Sequence, residues 1–208
     1  MTWIDISQPM NDRIATWPED TPFSYHRSVT IEESGSVNIG DITMSVHTGT
    51  HIDAPFHFDN QGRKVLDLDV DVYIGRAKVV DCRGYTAIGE EVFDGVDLAG
   101  VGRVLFKTGA SPDPSDFPEE APFLKPELAG FLRKKNIRLA GVDVPSVDPM
   151  DSETLEAHHA LFSCGVHILE NAALAEVEPG TYELCALPLA LEDADGSPVR
   201  AVLKPVDE

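Results

Sequence analysis

The sequence predicts a mixed α/β fold, one domain over residues 1–208, richer in strand than in helix. Three observations predict it. Short β-rich runs outnumber helical candidates three to one. Their order is not a regular strand–helix alternation. And 208 residues, 42% hydrophobic and 25% charged, suit one substantial core, burying roughly 70% of the surface an unfolded chain exposes. The chain has no internal repeat, low-complexity tract or Gly/Ser linker at which to divide it.

The elements follow in order. "WIDIS" (3–7) alternates like a half-buried strand. "FSYHRSVTI" (23–31) and "VNIGDITMSV" (37–46) are β-rich and flank a Glu-Ser-Gly-Ser turn region. "AKVVDC" (77–82), "RVLFKTG" (103–109) and "IRLAGVDV" (137–144) are short apolar runs of buried-strand type. "GVHILEN" (165–171), "TYELCALPLAL" (181–191) and "PVRAVLKPV" (198–206) complete the strands, with "EDADGSP" as a turn before the last. "KPELAGFLRKKN" (125–136) carries helix signals in the right order: Pro near its start, Leu128, Phe131 and Leu132 on one side, basic residues in the last turn. "DSETLEAHHALFSCG" (151–165) opens on Asp and Ser cap candidates and ends at Gly165, and "AIGEEVFDG" (87–95) is a shorter helix candidate. "SPDPSDFPEEAP" (111–122), rich in proline and acid, is a surface loop.

Composition excludes several functions. With 36 acidic residues against 16 basic, the formal charge is −20, which repels nucleic-acid backbones and anionic membranes. No run approaches the ~18 apolar residues of a membrane span. The start, "MTWIDISQPMNDR", lacks a basic region followed by an apolar run, so the expected location is the cytoplasm. Cys82, Cys164 and Cys185 are odd in number and widely spaced. They read as small buried hydrophobes in a reducing compartment.

Chemistry concentrates in "SVHTGTHIDAPFHF" (45–58), which holds three of the seven histidines. His47, His51, Asp53 and His57 share one face of a strand but scatter around a helix, and Gly49 and Pro55 further oppose helix. A straight strand also fails, because it sets His47 and His51 about 13 Å apart, too far for two imidazoles bound at ~2.0–2.1 Å to one ion. The chain is therefore expected to leave the strand near His47 and curl through Thr48-Gly49-Thr50, with Gly49 where positive φ costs least. Imidazole and carboxylate suit Zn, Mn or Fe, and two His plus one Asp leave a position open for water. His57 reads either as a fourth ligand or as a proton carrier beside the metal. A second cluster lies about a hundred residues on. His158 and His159 are adjacent on a helix and point about 100° apart, so one of them faces the site. Glu170 ends an apolar strand, where an acid needs a partner.

"HTGTHIDAPFHF" matches the H-x-G-T-H-x-D-x-P-x-H signature of the metal-dependent cyclase-like hydrolases. Further stretches ("IATWPEDTPFSY", "GVDVPSVDPMDSETLEAHHALF", "ILEN", "YELCALPLALEDADGSPVRAVL") resemble the arylformamidase (kynurenine formamidase) branch of that family. The match spans most of the chain and is weakest over 83–130. The resemblance implies two divalent ions per chain, zinc first, with Mn or Fe accepting the same donors. His47, His51 and Asp53 would hold one ion; Asp53 would bridge to a second held by His159 and Glu170. His57 would be the general acid/base, and Trp17 an aromatic wall for the substrate ring. It further implies a swivelling β/β/α fold with a barrel-like sheet and flanking helices, a homodimer, and hydrolysis of N-formyl-L-kynurenine to L-kynurenine and formate. His26 and His167 find no role.

That chemistry holds together from below. An aryl formamide is a stable amide with a poor leaving group; a metal lowers the pKa of bound water from 15.7 towards ~7 and stabilises developing negative charge. A histidine can then deliver a proton to the departing nitrogen. Two alternatives stand beside it: a one-metal relative that opens a cyclic amide or lactone, and a module whose ion is structural, although structural zinc sites are usually Cys-rich and closed.

Overall fold

A computed structural model describes residues 2–110 and 113–206; Ser111 and Pro112 of the proline-rich loop lie outside the described residues. The main sheet has nine strands in the order Ile4–Asp5, Val202–Pro205, Gly180–Cys185, Ile74–Asp81, Arg103–Lys107, Leu139–Val142, His167–Glu170, His51–Asp53, Gly196–Pro198. The four central strands from Ile74–Asp81 to His167–Glu170 run parallel, and antiparallel pairs flank them on both sides. This is a curled mixed sheet, an open half-barrel with few helices.

Side-chain alternation explains why the parallel strands are buried on both faces. Val104 and Phe106, Ala140 and Val142, and Ile168 point to one side, where they meet Leu128 and Leu132 of helix Leu128–Lys134 and Ala157 and Leu161 of helix Glu156–Ser163. Leu105, Leu139 and Leu169 point the other way. There they join Ile52, Tyr182, Leu184 and Leu203. Two apolar clusters thus clamp the sheet, and its His51–Asp53 end is held rigid between neighbours.

Several elements differ from expectation in extent. The run 181–191 keeps its strand only over Gly180–Cys185, and 198–206 divides into Gly196–Pro198 and Val202–Pro205. The segment 87–95 is not an α-helix: Ala87–Ile88 pairs with Phe123–Leu124 as a strand, and Glu90–Phe93 forms a 3-10 turn. Gly89 offers no capping side chain there, and tertiary packing of Val92 and Phe93 into the helix-side cluster sets the conformation. Cys82 is buried, whereas Cys164 and Cys185 are half-buried; none is paired.

The strands Ser24–Val29 and Ile39–Thr43 form a separate antiparallel hairpin, closed by a helical turn, Ile31–Ser34, with a capping box between Thr30 and Glu33. Every residue of Ile39–Thr43 and nearly all of Ser24–Val29 is exposed. No helix of the described residues is long and apolar enough to cross a membrane.

Candidate metal centre

The histidine-rich loop is built by its glycine and its strand. The chain leaves the hairpin at Thr43, turns at Ser45–Thr48 through the Thr48 N–H donating to the Ser45 carbonyl (3.2 Å), and re-enters the sheet at His51. Gly49 adopts φ +67°, which favours glycine, and a Cβ there would stand 2.7 Å from Met10 Sδ and push that flexible side chain aside. The His51–Asp53 strand lies between two antiparallel neighbours. Its register sets Glu170 opposite His51, and Gly196 opposite Asp53. His57 follows on the 3-10 turn Pro55–His57.

Two groups of ligand-type side chains converge, sharing Asp53: His47, His51 and Asp53 in one, and Asp53, His158 and Glu170 in the other. His47 Nδ1 lies 2.9 Å from Asp53 Oδ1, and His51 Nε2 lies 3.4 Å from the same oxygen and 3.5 Å from Glu170 Oε2. His158 Nε2 stands 3.3 Å from Asp53 Oδ2 and 3.6 Å from Glu170 Oε1. The outer contacts choose which ring nitrogen points inward. His51 Nδ1 meets the Gly49 carbonyl at 2.8 Å, and His158 Nδ1 meets Asp148 Oδ2 at 2.6 Å, leaving both Nε2 atoms for the centre. Asp148 is itself anchored by the backbone N–H groups of Ala157 and His158 (2.7 and 3.0 Å). The acid of Glu170 has its partner as well: the Val147 N–H donates to Oε1 at 2.8 Å.

The electrostatics call for a cation. His51, Asp53, His158 and Glu170 are all buried. Burial opposes charge on the histidines, but Asp53 and Glu170 outweigh it for His51, and Asp148 and Asp53 for His158. Each is pushed up to about 10. His47 is likewise raised to about 9, against burial, by Asp195 and Asp53. Burial also opposes ionisation of Asp53, yet hydrogen bonds from His158, His47 and His51 hold it well below the usual carboxylate range. Without an ion, protons must supply the positive charge that these carboxylates demand. Borderline imidazole and hard carboxylate donors are the set that Zn, Mn or Fe accepts, so the residues fit a divalent metal.

The site differs from expectation at one helix position. His158, not His159, stands beside Asp53 and Glu170. The helix buries Ala157, His158 and Leu161 along one face, and a residue one step on is turned about 100° away. His159 is exposed, its ring 5.2 Å from that of Phe58. His158 and Leu161, three apart on one face, were the available signal, but Phe162 gives His159 the same spacing, so the sequence alone is ambiguous.

Asp195 is the residue that sequence reading missed, because a turn acid in "EDADGSP" looks like solvated surface. The turn carries it back over the loop: Oδ2 lies 3.0 Å from His47 Nε2 and 3.4 Å from His57 Nδ1. Those bonds hold it far below the ordinary carboxylate range. The rings of His47 and His57 are 4.1 Å apart, and a Cβ at Gly196 would stand 2.7 Å from the His47 ring. A cavity of about 480 Å³ opens at the centre, lined by His47, His51, His57, His158 and Glu170, within the range of small-molecule sites. Trp17 and Phe117 form its apolar wall, ring centroids 5.2 Å apart at 82°. His26 lies on the exposed hairpin, and His167 lies 2.9 Å from the Tyr73 hydroxyl.

Known proteins match this architecture closely. A family model described as "Putative cyclase" matches residues 4–149. A kynurenine formamidase of Bacillus cereus is 60% identical over 204 residues, covering 98% of both chains. A solved structure described as a potential metal-dependent hydrolase with cyclase activity superposes with a TM-score of 0.81 at 29% identity, covering 97% of this chain and 96% of its own. Isatin hydrolase A from Labrenzia aggregata superposes at 0.82 with 22% identity, covering 97% of this chain and 93% of its own, a likeness of fold alone.

Proposed function

The chain belongs to the cyclase family and is a metal-dependent hydrolase, and from that premise we propose that it hydrolyses N-formyl-L-kynurenine to L-kynurenine and formate. The observation that carries this reading is the 60% identity to a kynurenine formamidase, sustained over 98% of each chain.

The roles proposed for the residues follow from the geometry. His47, His51 and Asp53 hold one divalent ion, and Asp53, His158 and Glu170 a second, with zinc the first candidate and Mn or Fe accepting the same donors. When bound, such ions supply Lewis acidity, lowering the pKa of a bound water and polarising a carbonyl. His57 lines the cavity beside this centre, its ring 4.1 Å from that of His47. Asp195 lies near its Nδ1, which leaves Nε2 for the substrate. From there His57 accepts a proton from the attacking water and returns it to the anilide nitrogen, so the aryl amine departs neutral. Trp17, edge-on to Phe117, offers its face to the aryl ring; such aromatic pairs contribute about 0.5–1.5 kcal/mol beyond burial. The second ligand group favours two ions over the one-metal ring-opening alternative.

We further propose that residues 1–208 act as one hydrolase domain, that the protein is cytoplasmic, in keeping with its three unpaired cysteines, and that it is a homodimer. The hairpin supports the last of these: Tyr25 and Ile42 are 57% and 61% exposed on an arm whose two strands are almost wholly exposed, the kind of apolar surface that a partner covers. The testing experiment is metal content by mass spectrometry on protein purified without added metal or chelator, with N-formylkynurenine hydrolysis on the same sample. Two ions per chain with rapid turnover is the expected result. Metal without this activity, or a single ion, refutes it.

A further inference from the structure

Two buried carboxamides that line the cavity have no hydrogen-bond partner among the described residues. Gln8 and Asn171 are 8% and 9% exposed, and both line the cavity over the metal centre. Their backbones are tied together by one hydroxyl of the metal loop. Thr50 Oγ1 accepts from the Gln8 N–H at 2.9 Å and donates to the Asn171 carbonyl at 2.6 Å. The Asn171 N–H donates to the Val144 carbonyl at 3.0 Å. Yet neither side-chain amide makes a hydrogen bond among the described residues. Thr48 Oγ1 is the one sealed side-chain polar atom there without a partner, so the two amides are open to the cavity rather than shut in the core.

Buried polar groups are nearly always satisfied, by protein, by water or by a ligand. A carboxamide offers two N–H donors and one carbonyl acceptor and carries no charge. No lysine or arginine lines the cavity among the described residues, so neutral groups such as these amides must supply its donors. Asn171 follows the ligand Glu170 directly and is held at φ +56°, a conformation that asparagine tolerates better than most residues.

Resting on the formamidase reading, we propose that Gln8 and Asn171 form a carboxamide pair that receives the ketone carbonyl standing ortho to the formamide on the substrate ring. With the formyl group at the metal centre, an ortho carbonyl lies within a few bonds of it, inside the cavity that Gln8 and Asn171 line. The pair then selects ortho-acyl formanilides over formanilide itself, and it holds the product, which keeps its ketone.

The test compares Gln8→Met and Asn171→Gly with the holoenzyme as isolated. Met keeps the length of Gln8, and Gly permits the backbone of Asn171. Three quantities are read: kcat/KM on N-formylkynurenine and on formanilide, the Kd of L-kynurenine by calorimetry, and metal content. For each variant the expected result is about a ten-fold loss on N-formylkynurenine, the scale of one lost neutral hydrogen bond. The kynurenine Kd weakens in parallel, formanilide changes less than about three-fold, and metal is retained. Equal losses on both substrates, an unchanged kynurenine Kd, or loss of metal overturns the proposal. A wild-type protein that cleaves formanilide but not N-formylkynurenine refutes the underlying reading, a result distinct from any behaviour of the variants.

Discussion

Replacing His158 by alanine, with His159→Ala beside it, tests the metal centre most directly. His158 spans two carboxylates. Its Nδ1 lies 2.6 Å from Asp148 and its Nε2 3.3 Å from Asp53. Truncation removes one of the three donors that would hold the second ion. It also leaves Asp148 with only the backbone amides of residues 157 and 158. Perturbing a mere supporting contact of a metal ligand typically costs 10–100-fold in affinity, so losing the ligand itself should cost at least about 100-fold for that ion. Breaking a buried, hydrogen-bonded charged pair costs on the order of 3–5 kcal/mol. His159 is exposed, its ring edge-on to that of Phe58, and a surface change of that kind stays within about 0.5 kcal/mol. The assay is metal content after gel filtration, paired with thermal melts. The expected outcome is one ion per chain and a lowered Tm for His158→Ala, against wild-type values for His159→Ala. If His159→Ala sheds the metal and His158→Ala keeps it, the helix-face argument is refuted.

Other predictions follow from the same geometry. His57→Ala should keep the metal and lower kcat by at least about 100-fold, the usual worth of acid–base catalysis; loss of metal on mass spectrometry would make His57 a ligand instead. Trp17→Ala should raise KM for N-formylkynurenine more than for a non-aromatic formamide, and equal steady-state effects on both would remove Trp17 from the aryl subsite. Tyr25→Lys with Ile42→Lys should yield a folded monomer by light scattering, whereas an unchanged mass would show that the hairpin is not the dimer contact. His167 is held neutral by burial and by the charges of Arg63 and Arg138, lowering its pKa from 6.5 to about 4. Between those values the unfolded chain binds the proton and the folded chain does not. Stability from this group is therefore whole above about pH 6.5 and falls as the pH drops towards about 4. His167→Phe should flatten the Tm-versus-pH curve in that window, and a parallel curve would contradict the assignment.

The sequence by itself determined the strands that alternate or run apolar, such as Arg103–Lys107 and Leu139–Val142, because a two-residue period and β-branched runs are local properties of the chain. It also determined that the histidine-rich loop clusters ligand-type side chains. His47, His51 and Asp53 lie within seven residues of one another, with a glycine where the backbone must adopt positive φ, and no other segment is needed to bring them together. The helix expected at 87–95 failed because Val92 and Phe93 answer to the core they enter, and that core is assembled from residues far away in sequence. The choice between His158 and His159 was equally beyond local reading. It rests on which helix face meets the sheet, and tertiary packing of Ala157 and Leu161 decides it. Asp195, Gln8 and Asn171 reach the site only because the sheet sets the end of the chain beside its beginning. Spacing in sequence carries no trace of such proximity, which arises when antiparallel neighbours close around the strand His51–Asp53.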